Sequence, residues 1–285
     1  MQTFIDWCKA APLAVLPHHA VSRVVYWLTQ RTGRLVTPVI RRFIALFNVE
    51  MQDAIEPDPS AYSTFNAFFT RALHADARPI ASGSQEIACP ADGRISAIGH
   101  IEDARVFQAK GKDYSLATLL ADEEMAKDFS QGSFVTVYLS PRDYHRLHMP
   151  ISGTLLNQTH VPGRLYSVAP HTVRTIDGIF ARNERVIATF QTEHGRMALV
   201  LVGAINVAAI ETVWHGLVTP PAGREINRWS YESSNAVTLA RGDEMGRFNM
   251  GSTIIAVFEK PVKWRVDMAS GDAVKMGQFM GHENG

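Results

Sequence analysis

The chain after Pro79 is divided into short apolar or alternating runs, and this pattern limits the possible folds more than any other feature. The runs are rich in β-branched residues and end at clusters of Gly, Pro, Asn or Asp, which is typical of strands joined by turns. The clearest runs are Arg94 to Ile98, Phe134 to Leu139, Arg185 to Thr192, Met197 to Val213 and Thr253 to Phe258. The pattern predicts an α+β chain with a mostly antiparallel β body and a loosely ordered tail after residue 270.

The first fifty residues differ from this body in charge and in periodicity. They carry six basic and two acidic residues, although the formal net charge of the whole chain is zero. Apolar residues recur there at helical spacing, which predicts three amphipathic helices separated at Pro12 to Pro17 and near Gly33. Such helices either pack on the core or lie in the headgroup region of an anionic membrane.

Composition and length narrow the class of protein. The chain has 285 residues with 46% hydrophobic content, which is enough to bury a large core, and its zero net charge does not favour a nucleic-acid partner. Cys8 and Cys89 form no CxxC pair, which indicates free thiols in a reducing compartment and no cysteine metal site. No stretch reaches the ~18 to 20 apolar residues that span a bilayer, and Asp6 and the early prolines argue against a secretory signal.

Two short helices are predicted outside the N-terminal region. PDPSAYSTFNAFFTRAL, from Pro57 to Leu73, has a turn, a Ser or Thr cap and three phenylalanines near one helical face, and a further helix fits Ser115 to Leu120. The sequence contains no GxSxG elbow, no HExxH pair, no P-loop and no dinucleotide fingerprint. Ordinary hydrolase and nucleotide-binding functions therefore lack support.

Three short stretches contain residues that can carry chemistry, but each has an ordinary structural explanation. Asp92 in CPADGRIS precedes a glycine, as in a simple turn. His145 and His148 in LSPRDYHRLHMP have the spacing of a zinc-binding pair, yet no third ligand stands at a matching offset. Ser252 in FNMGSTIIAVFE is typical of a polar residue at the start of a strand.

Eight stretches taken together resemble the motifs of bacterial phosphatidylserine decarboxylases. They occur in the order of that family and cover most of the chain. The stretches are TFNAFFTRAL, PADGRIS, QAKGKDYSLATLL, SPRDYHRLHMP, VPGRLYSV, FARNER, VGAINVAAIETVW and EMGRFNMGST.

The resemblance implies that Ser252 becomes a prosthetic group. In that family the chain cleaves itself before the serine of the Gly-Ser-Thr motif, here between Gly251 and Ser252, and the serine becomes a covalent pyruvoyl cofactor. Asp92 and His148 match the family's aspartate and second histidine, so Asp92, His148 and Ser252 would form the self-cleavage triad. His145, the first histidine, is the candidate proton donor, and no metal is implied.

These residue types suit such chemistry. A serine hydroxyl needs a base, an imidazole titrating near ~6.5 can take its proton, and a carboxylate supports the resulting imidazolium. By resemblance, the amine of phosphatidylserine would form a Schiff base with the pyruvoyl group, which would accept the electrons left by departing CO₂. Protonation would then give phosphatidylethanolamine.

A diacyl lipid substrate would explain the basic N-terminus. Helices in a region spanning residues 1–56 would reach an anionic membrane surface, with a catalytic domain at 57–285, so we expect a peripheral protein on the cytoplasmic side of the cell membrane. The cations that would meet the lipid are Arg23, Arg31, Arg34, Arg41 and Arg42.

The resemblance also implies partners within and between chains. A β chain, 1–251, and an α chain, 252–285, would stay together after cleavage, and a homodimer is expected. Two alternatives remain open: a pyruvoyl-dependent decarboxylase of another amine, and a non-catalytic β-rich module at a membrane surface.

Overall fold

The fold is known from a computed structural model, which describes residues 17–109, 112–205, 209–220, 224–231 and 235–283. The protein is mostly antiparallel sheet with a few helices, at 21% helix and 36% strand. The predicted α+β class is therefore confirmed.

Helices occur at the N-terminus and in short segments between strands. In chain order they are α1 (His18–Thr29), α2 (Val36–Phe47), α3 (Phe65–Phe69), α4 (Leu116–Leu120), α5 (Glu123–Asp128), α6 (Pro170–Thr175) and α7 (Ile179–Arg182). Side chains of Thr64, Ser115 and Asp122 cap α3, α4 and α5 by accepting a backbone N–H three residues on. Such caps supply partners that a short helix otherwise lacks at its first turn.

The strands make up the body of the protein. In chain order they are β1 (Glu86–Ala88), β2 (Gly93–His100), β3 (Arg105–Ala109), β4 (Lys112–Ser115), β5 (Ser133–Tyr138), β6 (Arg146–His148), β7 (Gly153–Val161), β8 (Arg185–Thr192), β9 (Gly195–Val202), β10 (Ile210–Thr212), β11 (Gly216–Thr219), β12 (Asn227–Ser230), β13 (Thr238–Leu239), β14 (Glu244–Phe248), β15 (Thr253–Phe258), β16 (Val262–Trp264), β17 (Ala273–Val274) and β18 (Phe279–Glu283).

These strands form one large sheet and three small ones. The nine-stranded sheet has the order β12-β7-β8-β9-β15-β5-β2-β17, with β13 also paired to β7. A four-stranded sheet has the order β11-β10-β14-β6, a three-stranded sheet the order β1-β18-β16, and β3 pairs with β4.

Strand β15 lies inside the large sheet and is covered on both faces. It pairs in continuous antiparallel register with β5 on one side and β9 on the other, and all six of its residues are buried. A strand buried on both faces needs apolar residues at every position, which explains the unbroken run after Ser252.

Helix α2 contributes to a second, smaller core. Ile40 and Phe43 of α2 contact a cluster that includes Phe65, Phe68 and Phe69 of α3, and the rings of Phe43 and Phe65 lie 5.1 Å apart. None of the helices in the described ranges has the length and hydropathy that a membrane crossing requires. Helices α1 and α2 agree with the prediction, whereas a helix near residues 4–8 falls outside the described residues.

Two sequence expectations were wrong. The run from Met197 to Val213 is not one strand, because β9 ends at Val202 and β10 begins at Ile210 in a different sheet. Its connection contains buried apolar residues, so the sequence reads as continuous. The tail after residue 270 is not loosely ordered, since β17 and β18 pair with strands far away in sequence.

Candidate active site

Gly251 and Ser252 lie where the chain passes from one sheet to another. Strand β14 of the four-stranded sheet ends at Phe248, and β15 of the large sheet begins at Thr253. Ser252 is fully buried, and its carbonyl oxygen accepts a 2.7 Å hydrogen bond from the N–H of Leu139. Its Oγ has no hydrogen-bond partner among the described residues. A buried hydroxyl without a partner destabilises a fold, which favours a chemical role for this group.

His145 faces this junction from the loop before β6. Its Nδ1 donates to the carbonyl oxygen of Asp143 at 2.8 Å, so Nε2 carries no proton in the neutral ring. This Nε2 has no hydrogen-bond partner within the described ranges, and a Cβ placed on Gly251 would lie 2.9 Å from it. Phe69 of α3 covers the ring at a centroid distance of 4.0 Å. The basic nitrogen of His145 therefore lies against the Gly251–Ser252 junction.

The surroundings keep His145 neutral. Burial, and after it the positive charge of Arg71, lowers the pKa of His145 to about 3. At pH 7 the ring is consequently uncharged and able to accept a proton.

His148, at the end of β6, has both ring nitrogens engaged. Its Nδ1 donates to the carbonyl oxygen of Gly242 at 2.8 Å, and its Nε2 accepts a 3.1 Å hydrogen bond from the hydroxyl of Tyr144. Burial lowers the pKa of His148, and the hydrogen bond to Gly242 opposes that effect. This ring could also act as a base, but the electron pair of its Nε2 already accepts the hydrogen bond from Tyr144.

Asp92 is bound to an arginine. The Nε and Nη2 of Arg78 donate to its two carboxylate oxygens at 2.9 and 2.6 Å, and the N–H of Met276 adds a third bond at 2.8 Å. Arg78 also contacts Asp53 at 2.7 Å. A bidentate ion pair of this kind fixes the carboxylate in place.

The predicted site residues therefore form two groups. His145 lies against Gly251, the neighbour of Ser252, although no hydrogen bond joins its Nε2 to the serine hydroxyl, while Asp92 and His148 have other partners. In the described part of the chain no hydrogen bond joins Asp92 to His148 or His148 to Ser252. Asp92 and His148 are nevertheless close in the fold, since the N–H of His148 donates at 2.9 Å to the carbonyl oxygen of Pro90, two residues before Asp92. The self-cleavage triad stays a prediction, and forming it requires His148 to exchange its partner.

Three residues near this site were not predicted from the sequence. Arg71 and Tyr144 stand within TFNAFFTRAL and SPRDYHRLHMP, and Arg78 lies just before Pro79. For Arg71 and Tyr144, the only signal was a position inside a stretch that resembles a family motif, and for Arg78 there was none. The contacts of all three depend on how the chain folds back on itself.

The fold and the site define a β-rich protein in which a buried serine and a buried histidine flank a junction between two sheets. The family follows from comparison with known proteins. A family model described as "Phosphatidylserine decarboxylase" matches residues 65–282, and another, described as "PSD", matches residues 8–48. The chain belongs to the phosphatidylserine decarboxylase family.

Curated relatives resemble this chain over nearly their full length. A protein of Alkalilimnicola ehrlichii is 56% identical over 261 residues, covering 90% of this chain and 89% of its own. Proteins of Pseudoalteromonas atlantica and Saccharophagus degradans are 49% and 48% identical, covering 95% and 93% of this chain and 96% and 94% of theirs. All three are named "Phosphatidylserine decarboxylase proenzyme".

Proposed function

We propose that this protein is a proenzyme that cleaves itself between Gly251 and Ser252 and then decarboxylates phosphatidylserine to phosphatidylethanolamine. The observation that carries the proposal is the buried Ser252 hydroxyl at the sheet junction, with the free Nε2 of His145 against Gly251. Membership of a family whose relatives are named proenzymes supports the same conclusion.

Self-cleavage begins with attack of Ser252 Oγ on the carbonyl carbon of Gly251. A base takes the hydroxyl proton, the peptide nitrogen of Ser252 leaves with a proton, and an ester replaces the amide. Removal of the Ser252 α-proton then breaks the bond between Cβ and Oγ of Ser252. Both ester oxygens leave on the Gly251 carboxylate. The remaining dehydroalanine becomes an imine, which water converts to a ketone and ammonia.

We assign Ser252 as the nucleophile and His148, supported by Asp92, as the base, following the resemblance. The contacts favour a second candidate for the base, His145. Its Nε2 lies against Gly251, whereas that of His148 is bonded to Tyr144. Burial lowers the pKa of both rings, so both are uncharged at neutral pH and each has a nitrogen that can accept the proton.

The residues around Ser252 fit a pyruvoyl group at this position. The group would begin the α chain at the first residue of a strand that β5 and β9 hold in place, beside the unpartnered Nε2 of His145. A pyruvoyl group supplies a ketone conjugated to an amide, which acts as an electron sink when CO₂ leaves. His145 is then the group placed to hold and return a proton at the substrate α-carbon.

Helices α1 and α2 provide the proposed membrane surface. Large apolar side chains on them are solvent-exposed, including Trp27 at 54% and Leu35 at 78% exposure. The five expected cations on these helices and their connection are exposed as well. An apolar groove of about 660 Å³ runs between the helices to Phe65 and Met250, directly before the cleavage site. We infer peripheral attachment to the cytoplasmic face of the cell membrane, with residues 1–56 as the attaching region.

Intact-mass analysis of the purified wild type and of Ser252→Ala tests the proposal. We expect the wild type to yield residues 1–251 and a 252–285 fragment blocked by pyruvoyl, co-eluting in native gel filtration as a homodimer. The variant should remain whole at 31.6 kDa. An unbroken wild type would support a non-catalytic module instead. Activity on soluble amino acids but not on phosphatidylserine vesicles would support a decarboxylase of another amine.

Variants of the two histidines separate their roles. If His148 is the base, His148→Ala stays whole while His145→Ala is cleaved but decarboxylates poorly. Cleavage of His148→Ala together with an intact His145→Ala would instead assign the base to His145.

A further inference from the structure

Arg71, two residues after α3, is a buried cation without a counter-ion. It is 4% exposed, its Nη2 donates to the carbonyl oxygen of Arg142 at 3.3 Å, and its Nε has no hydrogen-bond partner among the described residues. No carboxylate in the described ranges lies within ion-pair distance of it: Asp92 and Asp143 act on it only from farther away and are paired with Arg78 and Arg142. Arginine keeps its proton in proteins, so an unpaired charge remains buried here. Such a charge strongly favours an anionic partner.

Two other buried arginines show how the fold usually satisfies such a group. Arg78 is neutralised by its bidentate contact with Asp92. Arg185 has no carboxylate partner in the described chain, but it donates at 2.5 to 3.0 Å to four backbone carbonyls, those of Thr118, Leu119, Ala181 and Asn183. Arg71 has neither a carboxylate partner nor a full set of carbonyl acceptors, which indicates that its free donors bind a ligand.

Arg71 lines a polar cleft of about 580 Å³ that borders the reaction centre. Ser140 and Tyr144 also line this cleft, and they belong to the loop from Leu139 to His145. The two ends of that loop contact the cleavage site: Leu139 bonds to the carbonyl oxygen of Ser252, and His145 faces Gly251. One loop therefore separates the cleft from the reacting atoms.

The segment from Phe65 to Arg71 borders both the apolar groove and this polar cleft. Phe65 at the start of α3 lines the groove, and Arg71 just after the end of this helix lines the cleft. Met250, which also lines the groove, precedes the cleavage site. A ligand with an apolar part and an anionic headgroup matches this arrangement, with its reactive atoms near Ser252.

We propose that Arg71 binds the phosphodiester of the substrate headgroup, an inference that rests on the proposed function. The headgroup of phosphatidylserine has two anionic groups, a phosphodiester and a carboxylate. An arginine on the departing carboxylate would stabilise the ground state more than the charge-dispersed transition state, and so would oppose the reaction. The phosphodiester is unchanged by the reaction and matches the fork of a guanidinium.

Binding at Arg71 also bears on His145. The charge of Arg71 is the second cause, after burial, that lowers the pKa of that ring. A phosphodiester on Arg71 would offset this charge and raise the affinity of His145 for a proton. The ring would then carry its proton more readily when substrate is present.

The first test measures ligand binding without chemistry. Full-length Ser252→Ala is titrated with glycerophosphoserine and with L-serine, with and without Arg71→Gln. We expect Arg71→Gln to weaken glycerophosphoserine binding by at least about tenfold and to leave L-serine binding unchanged. Arg105→Gln, at an exposed arginine outside the cleft, is the matched control and should change neither. Equal binding of glycerophosphoserine with and without Arg71 would overturn the proposal.

The second test uses the matured enzyme. Arg71→Gln should still yield the two fragments by intact mass, while its KM for phosphatidylserine vesicles rises at least about tenfold. Arg71→Lys keeps the charge but loses the fork, so its KM should lie between the two, and this variant decides the matter if Arg71→Gln does not fold. A lower kcat with unchanged KM in both variants would contradict the proposal. If the wild type is not cleaved, the proposed function fails, and the binding test still judges Arg71.

Discussion

At the residue scale, the close neighbours of Gly251 leave no room for a larger side chain at this position. A Cβ built there would lie 2.9 Å from Nε2 of His145 and 3.2 Å from the carbonyl oxygen of Leu139. We expect Gly251→Ala to slow cleavage at least about tenfold while the protein still folds, because a displacement of this size disturbs the attack geometry. The fraction of cleaved chain after fixed times, read from denaturing gels, measures the effect.

Gly99→Ala is the control for this substitution. A Cβ at Gly99 in β2 meets only a ring carbon of Phe134, at an ordinary 3.9 Å. It should be cleaved at the wild-type rate. Wild-type cleavage of Gly251→Ala would show that the close contact with His145 has no part in the reaction.

The lowered pKa of His145 makes the folded protein sensitive to acid. Between its ordinary value near ~6.5 and about 3, the unfolded chain binds a proton at this residue that the folded chain does not, so stability falls as pH falls. The slope is at most about 1.4 kcal/mol per pH unit for this group. We expect the thermal midpoint of Ser252→Ala to drop from pH 7 to pH 5, and to drop less when His145→Gln is added. Parallel curves for the two proteins would argue against a neutral, buried ring.

The sequence indicated candidate site residues, but it could not predict their contacts. Ser252 and His145 stand in short stretches that resemble family motifs, and the structure places His145 against Gly251, the neighbour of Ser252. The bond between Arg78 and Asp92 could not be predicted, since it depends on how the loops fold back between strands. Asp92 and His148 are residue types that often form a hydrogen-bonded pair, yet here each is bonded to a different partner.

At the element scale, the short helix α3 positions the site. It supplies Phe69 over the ring of His145 and leads directly to Arg71. The Thr64 hydroxyl caps it, accepting the N–H of Ala67 at 3.0 Å. We expect Thr64→Ala to lower stability by about 1 kcal/mol, or about 2–4 °C in Tm, and also to reduce kcat/KM for phosphatidylserine.

Ser115→Ala is the matched control, since Ser115 caps α4 in the same way. It should give a similar or smaller loss of Tm, with kcat/KM unchanged. Calorimetry and vesicle assays on both variants provide the comparison. An equal loss of activity in both would mean that general stability, and not the placement of α3, is responsible.

Helices and strands could be predicted from the sequence where the local pattern of apolar residues was clear. α2 has a clear helical period, and β15 is a short run rich in β-branched residues, and both formed as expected. The break between β9 and β10 was missed because a buried connection is as apolar as a buried strand. Strand β18 was missed because its order comes from pairing with β1, in which Glu86 is the partner of the distant His282.

At the scale of the whole molecule, the exposed helices present charge and apolar surface on one region. Replacement of Arg34, Arg41 and Arg42 by Gln removes three exposed cations there. At about 1 kcal/mol per cation, vesicle binding should weaken by roughly a hundredfold or more on phosphatidylserine-containing membranes and little on neutral ones. Co-sedimentation at low and high salt measures this.

The control replaces three exposed cations of the body, Arg105, Lys127 and Lys263. It should bind vesicles like the wild type, because the helices remain charged. If both triple variants lose binding equally, total charge governs attachment, and the N-terminal region has no special role.

The position of β15 between β5 and β9 has a consequence for the timing of the chemistry. On the proposed reaction, Ser252 meets its base only after a strand near the C-terminus has entered the middle of the large sheet. A nascent or misfolded chain therefore never acquires the reactive ketone and cannot trap stray cellular amines. On this proposal, the large sheet must be complete before the protein can become an active enzyme.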